Sequence, residues 1–349
     1  MSKPILAISL GDPRGIGPEI TLRALSDTAL QSRAIFWICG DPDLLHAEAL
    51  RLGIEPFWWD GLKGRGESPD DYPVRVYGQS ARLAKLPPGP AADSGRASAE
   101  WVRDAIALAK GEIADMPRAD AIVTAPISKE AWHAAGITYP GHTELLAESF
   151  ASPRSAMLFV GKRLRVILVT IHVPLKSVPA LITREKVFDA IDLGHRACLQ
   201  LGVKSPRIAV AGLNPHAGEH RLFGNEDEDA IAPAIAQARA AGIDATGPHP
   251  GDAVFLAAAD GKHDLVVAMY HDQGLIPVKL LERKDAVNVT TGLSWQGGGR
   301  AIIRTSPAHG TAFDIAGKSP ADEHSMHAAI DLAIALAHSP LSPRERGRG

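Results

Sequence analysis

Three histidines fall where an imidazole can meet a ligand. His172 follows the apolar run RVILVT, His216 follows RIAVAGL within GLNPHAGE, and His271 follows DLVVAMY within YHDQG. Each run reads as a buried strand, and in open α/β sheets ligands gather beyond the carboxyl ends of strands. Neutral imidazole is the commonest protein ligand for zinc and related ions. Three of them leave coordination positions open, as a catalytic metal requires. The chain carries 14 histidines, so any one after a strand is more simply a loop or core residue. It is the trio at three like positions that points to one divalent ion. There is no H-E-x-x-H and no cysteine ligand set.

A second group of residues suits an anion. Ser128 and Lys129 follow DAIVTA at a helix start, where backbone N–H groups and the dipole favour negative charge. His142 and Thr143 open the helix of GHTELLAE, and Thr143 reads equally well as a simple cap. Lys279 lies in the apolar stretch GLIPVKLL, where it either meets an anion or snorkels to water. Asn288 in VNVTTG and Arg304 in AIIRTS add a neutral donor and a fork-shaped cation. Lys129, Lys279, Asn288 and Arg304 together would clamp a phosphate or carboxylate. Asp252 and Asp272 are candidate proton acceptors, or else helix caps.

These side chains need a scaffold, and the hydrophobic pattern supplies one. Apolar runs predict strands at 5–10, 34–39, 74–78, 120–125, 157–161, 165–170, 207–213, 264–270 and 301–306. Helical patterns between them cover 18–28, 95–113, 184–201, 226–241 and 321–337. That alternation is the mark of β-α units and a largely parallel sheet. Residues 60–73 and 85–98 are rich in Pro, Gly and Ser and read as loops or a domain crossover. The turn GDPRGIGPEI after the first strand imitates a nucleotide cradle but lacks the third glycine of G-x-G-x-x-G, where Ile20 stands. A Rossmann fingerprint is therefore absent.

At 349 residues the chain has room for two domains, and a net charge of −3 suggests neither a nucleic-acid partner nor an anionic membrane surface. No run approaches the length of a membrane span. The two cysteines, Cys39 and Cys198, show no metal spacing and read as reduced core residues of a cytoplasmic protein.

The motifs GIGPE, GHTELLAE, TIHVPL, GLNPHAGE, AMYHDQGLIPVK and RTSPAHGTAFDIAGK occur in order over nearly the whole chain. Together they resemble the 4-hydroxythreonine-4-phosphate dehydrogenase family of pyridoxal phosphate biosynthesis. The resemblance implies an isocitrate/isopropylmalate dehydrogenase-like α/β fold of two lobes with a cleft between them. It implies a discontinuous cofactor-side lobe, 1–130 with about 301–349, and a lobe for substrate, metal and dimerisation at about 131–300. NAD or NADP would lie on His309, Gly310, Thr311 and Asp314 of HGTAFDIAGK, and GDPRGIGPEI would be a structural bend near the substrate. One divalent ion (zinc, or magnesium, cobalt or manganese) would sit on His172, His216 and His271, in a site shared across a homodimer. The substrate would meet His142, Thr143, Lys279, Asn288 and Arg304, with Asp252, Asp272 and Lys129 as catalytic candidates.

The implied reaction is oxidation and decarboxylation of 4-phosphooxy-L-threonine to 3-amino-2-oxopropyl phosphate. Family relatives act instead on D-threonate or D-erythronate 4-phosphates, or on cis-dihydrodiols of aromatic acids. One departure stands out. SWQGGGRA lies between NVTTGL and IIRTSP, where it can reshape the phosphate pocket and offers Arg300 as a substitute for Arg304. A phosphate acyltransferase of related fold, or a non-catalytic small-molecule-binding protein, are the competing classes.

Overall fold

The computed structural model describes residues 3–60, 68–79, 87–152, 154–295 and 300–339. The described strands are β1 (Ile5–Ser9), β2 (Ile35–Cys39), β3 (Val74–Tyr77), β4 (Ala121–Thr124), β5 (Ala156–Val160), β6 (Arg165–Leu168) and β7 (Ile208–Ala211). They continue with β8 (Ala245–His249), β9 (Leu265–Ala268), β10 (Val287–Thr291), β11 (Ser294–Trp295), β12 (Arg300–Ala301) and β13 (Ile303–Pro307). The chain forms two units: Met1–Ser152 with Leu293–His338, and Pro153–Gly292. The changes of unit fall after Ser152 and Gly292, whereas the sequence placed them near 130 and 300. His142 and Thr143 therefore belong to the first unit.

In the first unit five parallel strands run in the order β3-β2-β1-β4-β13. All four residues of β4 are buried, as are four of the five in β1. Helices covering both faces of a parallel sheet require such unbroken apolar runs. The long helix Ala92–Lys110 turns Ala99, Val102, Ala105, Ile106 and Ala109 inward at helical spacing. It begins three residues earlier than its apolar pattern alone suggests. Ser128 caps the helix Lys129–Ala134, its hydroxyl accepting the N–H of Ala131.

In the second unit the strand order is β10-β5-β6-β9-β7-β8. β10, β5 and β6 pair antiparallel, while β6, β9, β7 and β8 are parallel. β6, β9 and β7 are thus neighbours running the same way. His172, His271 and His216 follow those three adjacent carboxyl ends. The helix His271–Glu282 leaves β9 directly. Its far end is anchored by Glu282, which is 3% exposed and accepts the N–H groups of Lys162, Arg163 and Leu164 at 2.8–2.9 Å.

All nine expected strands form. β8, β10 and the short β11 and β12 were not anticipated, and the helical stretch 226–241 divides into a wide turn at Asp227–Ile231 and a helix at Ala232–Ala240. Pro233 explains the division, since it cannot donate to the preceding turn. Of the inserted SWQGGGRA, 296–299 lie outside the described residues, as does the side chain of Arg300. Among the described residues, no helix is long and apolar enough to cross a membrane.

Candidate functional site

The second unit carries the histidines. The rings of His172 and His271 lie 5.7 Å apart between centroids, tilted by 43°. His271 opens its helix, and its Nδ1 lies 2.7 Å from Asp272 Oδ1. A carboxylate only accepts, so Nδ1 carries the proton and the lone pair of Nε2 is left for a ligand. His216 comes from a very different backbone. Its φ is 53°, and every residue from His216 to Arg221 has positive φ. Five of those six residues carry a Cβ, and left-handed backbone costs each about 1–2 kcal/mol. Asp227, fully buried beneath, compensates by accepting the N–H groups of Leu213 and Asn214 and the side-chain amide of Asn214 at 2.9–3.1 Å.

The three-imidazole set is expected in a site shared across a homodimer. Among the described residues, no group of three His, Cys, Asp or Glu side chains could hold a metal ion. Of the three imidazoles, those of His172 and His271 lie in ring contact. Asp252 and Asp272 each sit second in their helices, behind Pro250 and Tyr270, so neither is a cap. Lys279 is exposed on its helix between Ile276 and Leu280, which are 58% and 73% exposed. Asn288 lies in β10 with a buried Oδ1 that has no hydrogen-bond partner, an acceptor ready for a donor.

The first unit brings Lys129, His142, Glu144 and Arg304 into one electrostatic cluster. Arg304 is 2% exposed in β13, and its guanidinium donates to Thr124 Oγ1 at 2.7 and 3.2 Å. Burial pushes its pKa down to about 9, opposed by the Glu144 carboxylate, so it stays a cation near neutrality. His142 packs edge-on against Trp132 with ring centroids 5.7 Å apart. Its pKa is driven well below the usual imidazole value by burial first, then by Arg304 and Lys129. His142 is therefore neutral. Its Nε2 is buried without a partner. A neutral imidazole with an unfilled nitrogen among cations is suited to a polar group on an anion. Thr143 is second in the helix His142–Ser149, behind Gly141, and does not cap it.

The glycine-rich turn after β1 meets the HGTAFDIAGK loop in this same unit. Ile16 N–H donates to Thr311 O at 3.0 Å. A Cβ on Gly15 would lie 2.9 Å from the Thr311 carbonyl, and one on Gly17 would lie 2.3 Å from Leu10 O. Those glycines permit close packing of backbone on backbone. Beside them opens a pocket of about 260 Å³ walled by Pro18 and Leu44, with Arg14, Arg51 and Lys318 at its edge. Glu48 lines it too, Arg51 pairs with Glu48 and Glu19, and Arg14 pairs with Asp93; neither arginine was a candidate in the sequence. His309, Gly310 and Asp314 are exposed, and Thr311 is half-buried.

Largely parallel α/β sheets with ionisable groups at strand ends and a buried cation cluster suit an enzyme of small molecules, and comparison with known proteins narrows the class. The family model described as Pyridoxal phosphate biosynthetic protein PdxA matches residues 33–333. The chain is 45% identical over 334 residues to a 4-hydroxythreonine-4-phosphate dehydrogenase of Beijerinckia indica subsp. indica, covering 95% of this chain and 94% of that one. It is 40% identical over 341 residues to a D-threonate 4-phosphate dehydrogenase of Cupriavidus necator, covering 96% and 97%. The crystal structure of a 4-hydroxythreonine-4-phosphate dehydrogenase from Klebsiella pneumoniae matches with a TM-score of 0.80 at 39% identity, covering 97% and 99%. The protein is a dehydrogenase acting on a CH–OH group. It belongs to the PdxA family.

Proposed function

We propose that the chain oxidises 4-phosphooxy-L-threonine with NAD or NADP, giving 3-amino-2-oxopropyl phosphate after loss of CO2. The observation that carries a phosphorylated substrate is the cluster of Arg304 and Lys129 about neutral His142. A phosphate dianion matches two cations better than the single-charged carboxylate of an aromatic-acid dihydrodiol does. D-Threonate or D-erythronate 4-phosphate is the second reading, favoured by the D-threonate 4-phosphate dehydrogenase relative at 40% identity. The isocitrate/isopropylmalate dehydrogenase-like description of the fold rests on the motif resemblance.

His172, His216 and His271 would hold the divalent ion, in a site shared across a homodimer; of these, His172 and His271 meet in ring contact. When bound, the ion supplies a Lewis acid that lowers the pKa of the substrate alcohol. A nicotinamide nucleotide supplies the hydride acceptor, and the loop His309–Asp314, with the pocket edged by Arg14, Arg51 and Lys318, would take it. Asp272 is engaged in orienting His271. Asp252, exposed in the first turn of its helix, is left to take the alcohol proton, directly or through water. Asn288 and Lys279 are the remaining substrate-binding candidates.

A homodimer is supported by bare apolar side chains on the unit that holds the histidines. Leu175, Leu222, Leu256 and Leu280 are 66–73% exposed. A second copy of the chain would cover them. A cytoplasmic enzyme agrees with two free, buried cysteines. Partners of another kind, nucleic acid or membrane, are not expected.

The test is an absorbance screen at the reduced-nicotinamide band with 4-phosphooxy-L-threonine, both tetronate 4-phosphates and a cis-dihydrodiol. Fastest turnover of the first supports the proposal, and preference for a tetronate phosphate moves it to the second reading. Turnover only of acetyl phosphate with coenzyme A would mean acyl transfer, and both readings would fall.

A further inference from the structure

The Gln273 side chain lies across the ends of two strands. Its Oε1 accepts the N–H of Met269, which follows β9, at 2.6 Å. Its Nε2 donates to the carbonyl of Gly212, which follows β7, at 2.7 Å. Only one orientation of the amide satisfies both contacts, so donor and acceptor are unambiguous. On the other side of β9, Thr170 Oγ1 donates to Met269 O at 2.7 Å. Beyond β7, Gly212 N–H donates to His249 O at 2.7 Å. The result is a continuous belt of hydrogen bonds over the ends of β6, β9, β7 and β8, with Gln273 as its one amide side chain.

The belt lies directly below the histidines. Thr170 is two residues before His172, Gln273 is two residues after His271, and Gly212 is four before His216. Where parallel strands diverge, the last N–H and C=O groups lose their ladder partners and must be paired by something else. Met269 and Gly212 are both buried, so water does not serve them. Gly212 has no room to shift, since a Cβ there would lie 2.7 Å from Asp227 Oδ1 and 2.8 Å from Ala217 Cα. Gln273 thus joins the first turn of the His271 helix to the base of the left-handed His216 segment.

We infer that Gln273 is a positioning residue that sets the spacing of His216 from the His172–His271 pair. Its consequence for a divalent ion rests on the metal reading above, but the spacing itself does not. Gln273→Glu is isosteric. It keeps an acceptor for Met269 N–H and sets a carboxylate oxygen against the Gly212 carbonyl, opening the belt at that one link. Three quantities are measured on wild type and variant: thermal unfolding, cobalt(II) binding to the metal-stripped protein, and the imidazole Cε1–H resonances of the metal-free protein.

The expected result is a variant that stays folded and binds cobalt(II) roughly 10- to 100-fold more weakly, the usual cost of losing support behind a ligand. The His216 resonance moves in the metal-free variant. An unmoved His216 resonance overturns the inference, whatever happens to cobalt binding. If wild type takes up no cobalt(II), the metal reading fails instead, and the His216 resonance still decides the role of Gln273. Should Gln273→Glu not fold, Gln273→Met removes both bonds without adding charge and is judged by the same resonance.

Discussion

His271 Nδ1 donates to the Asp272 carboxylate at 2.7 Å, while Asp272 keeps 73% of its side chain exposed. That contact favours Asp272 as the residue that orients the imidazole, in the function proposed above. Asp272→Asn is expected to weaken divalent-metal binding roughly 10- to 100-fold, with activity falling in step at limiting metal and recovering in part at saturation. Asp252→Asn should leave metal affinity unchanged and lower kcat. Titration and initial rates on both variants decide it: metal affinity intact in Asp272→Asn with kcat abolished would make Asp272 the base.

His216→Ala is expected to remove metal and activity together while the unfolding transition persists. The reason is that His216 is exposed and its ring contact is with Phe223, itself 47% exposed. Chelation should inactivate wild type, and added divalent ion should restore it. Full activity in chelator-stripped protein, verified metal-free by elemental analysis, would remove the metal from the mechanism.

The turn after β1 should be intolerant of a single methyl. Gly15→Ala places a Cβ 2.9 Å from both the Cβ and the carbonyl oxygen of Thr311. Overpacking of this kind costs about 1–3 kcal/mol. The expected outcome is a raised KM for the nicotinamide nucleotide with a smaller change in KM for the phosphorylated substrate. Identical nucleotide KM values in variant and wild type would show that the turn and the cofactor loop are uncoupled.

Two groups with burial-shifted pKa values give opposite pH slopes. His142 has a depressed pKa in the folded chain, so between that value and the ordinary 6.5 the unfolded chain binds the extra proton. Its contribution to stability is therefore intact above about pH 6.5 and lost as pH falls below it. Asp104 behaves conversely. Burial first, and Glu100 second, raise its pKa to about 6, so the folded chain holds the extra proton and stability falls as pH rises from about 4 to about 6. Asp104→Asn should raise the unfolding temperature above pH 6 and lose that advantage near pH 4, a gain trimmed by the residue's partial exposure. An advantage independent of pH would mean that ionisation of Asp104 is not its source.

The strands that the sequence reveals are those buried on both faces, such as AIVT in β4 and LVVA in β9. β8, ATGPH, escaped because glycine and proline break its pattern, and it forms only by pairing with β7. β10, VNVTT, carries β-branched residues, yet Asn288 drew it into the ligand set instead. The candidate site was legible residue by residue, since histidines after apolar runs and lysines at helix starts are local signals. Gln273, Asp227 and the basic edge of the pocket were not, because a glutamine or arginine has no periodicity to betray what it touches.

Order along the chain thus determined which segments become strands and that three imidazoles would follow three of them, because burial and helical or extended repeat are properties of neighbours in sequence. It could not determine that β6, β9 and β7 would lie side by side, since that pairing joins backbones 99 residues apart at Thr170 and Met269. Nor could it show six residues in left-handed backbone at His216, or Arg304 buried against Thr124 rather than bared to solvent. Those outcomes depend on hydrogen bonds between distant segments, and such bonds exist only once the chain has closed on itself.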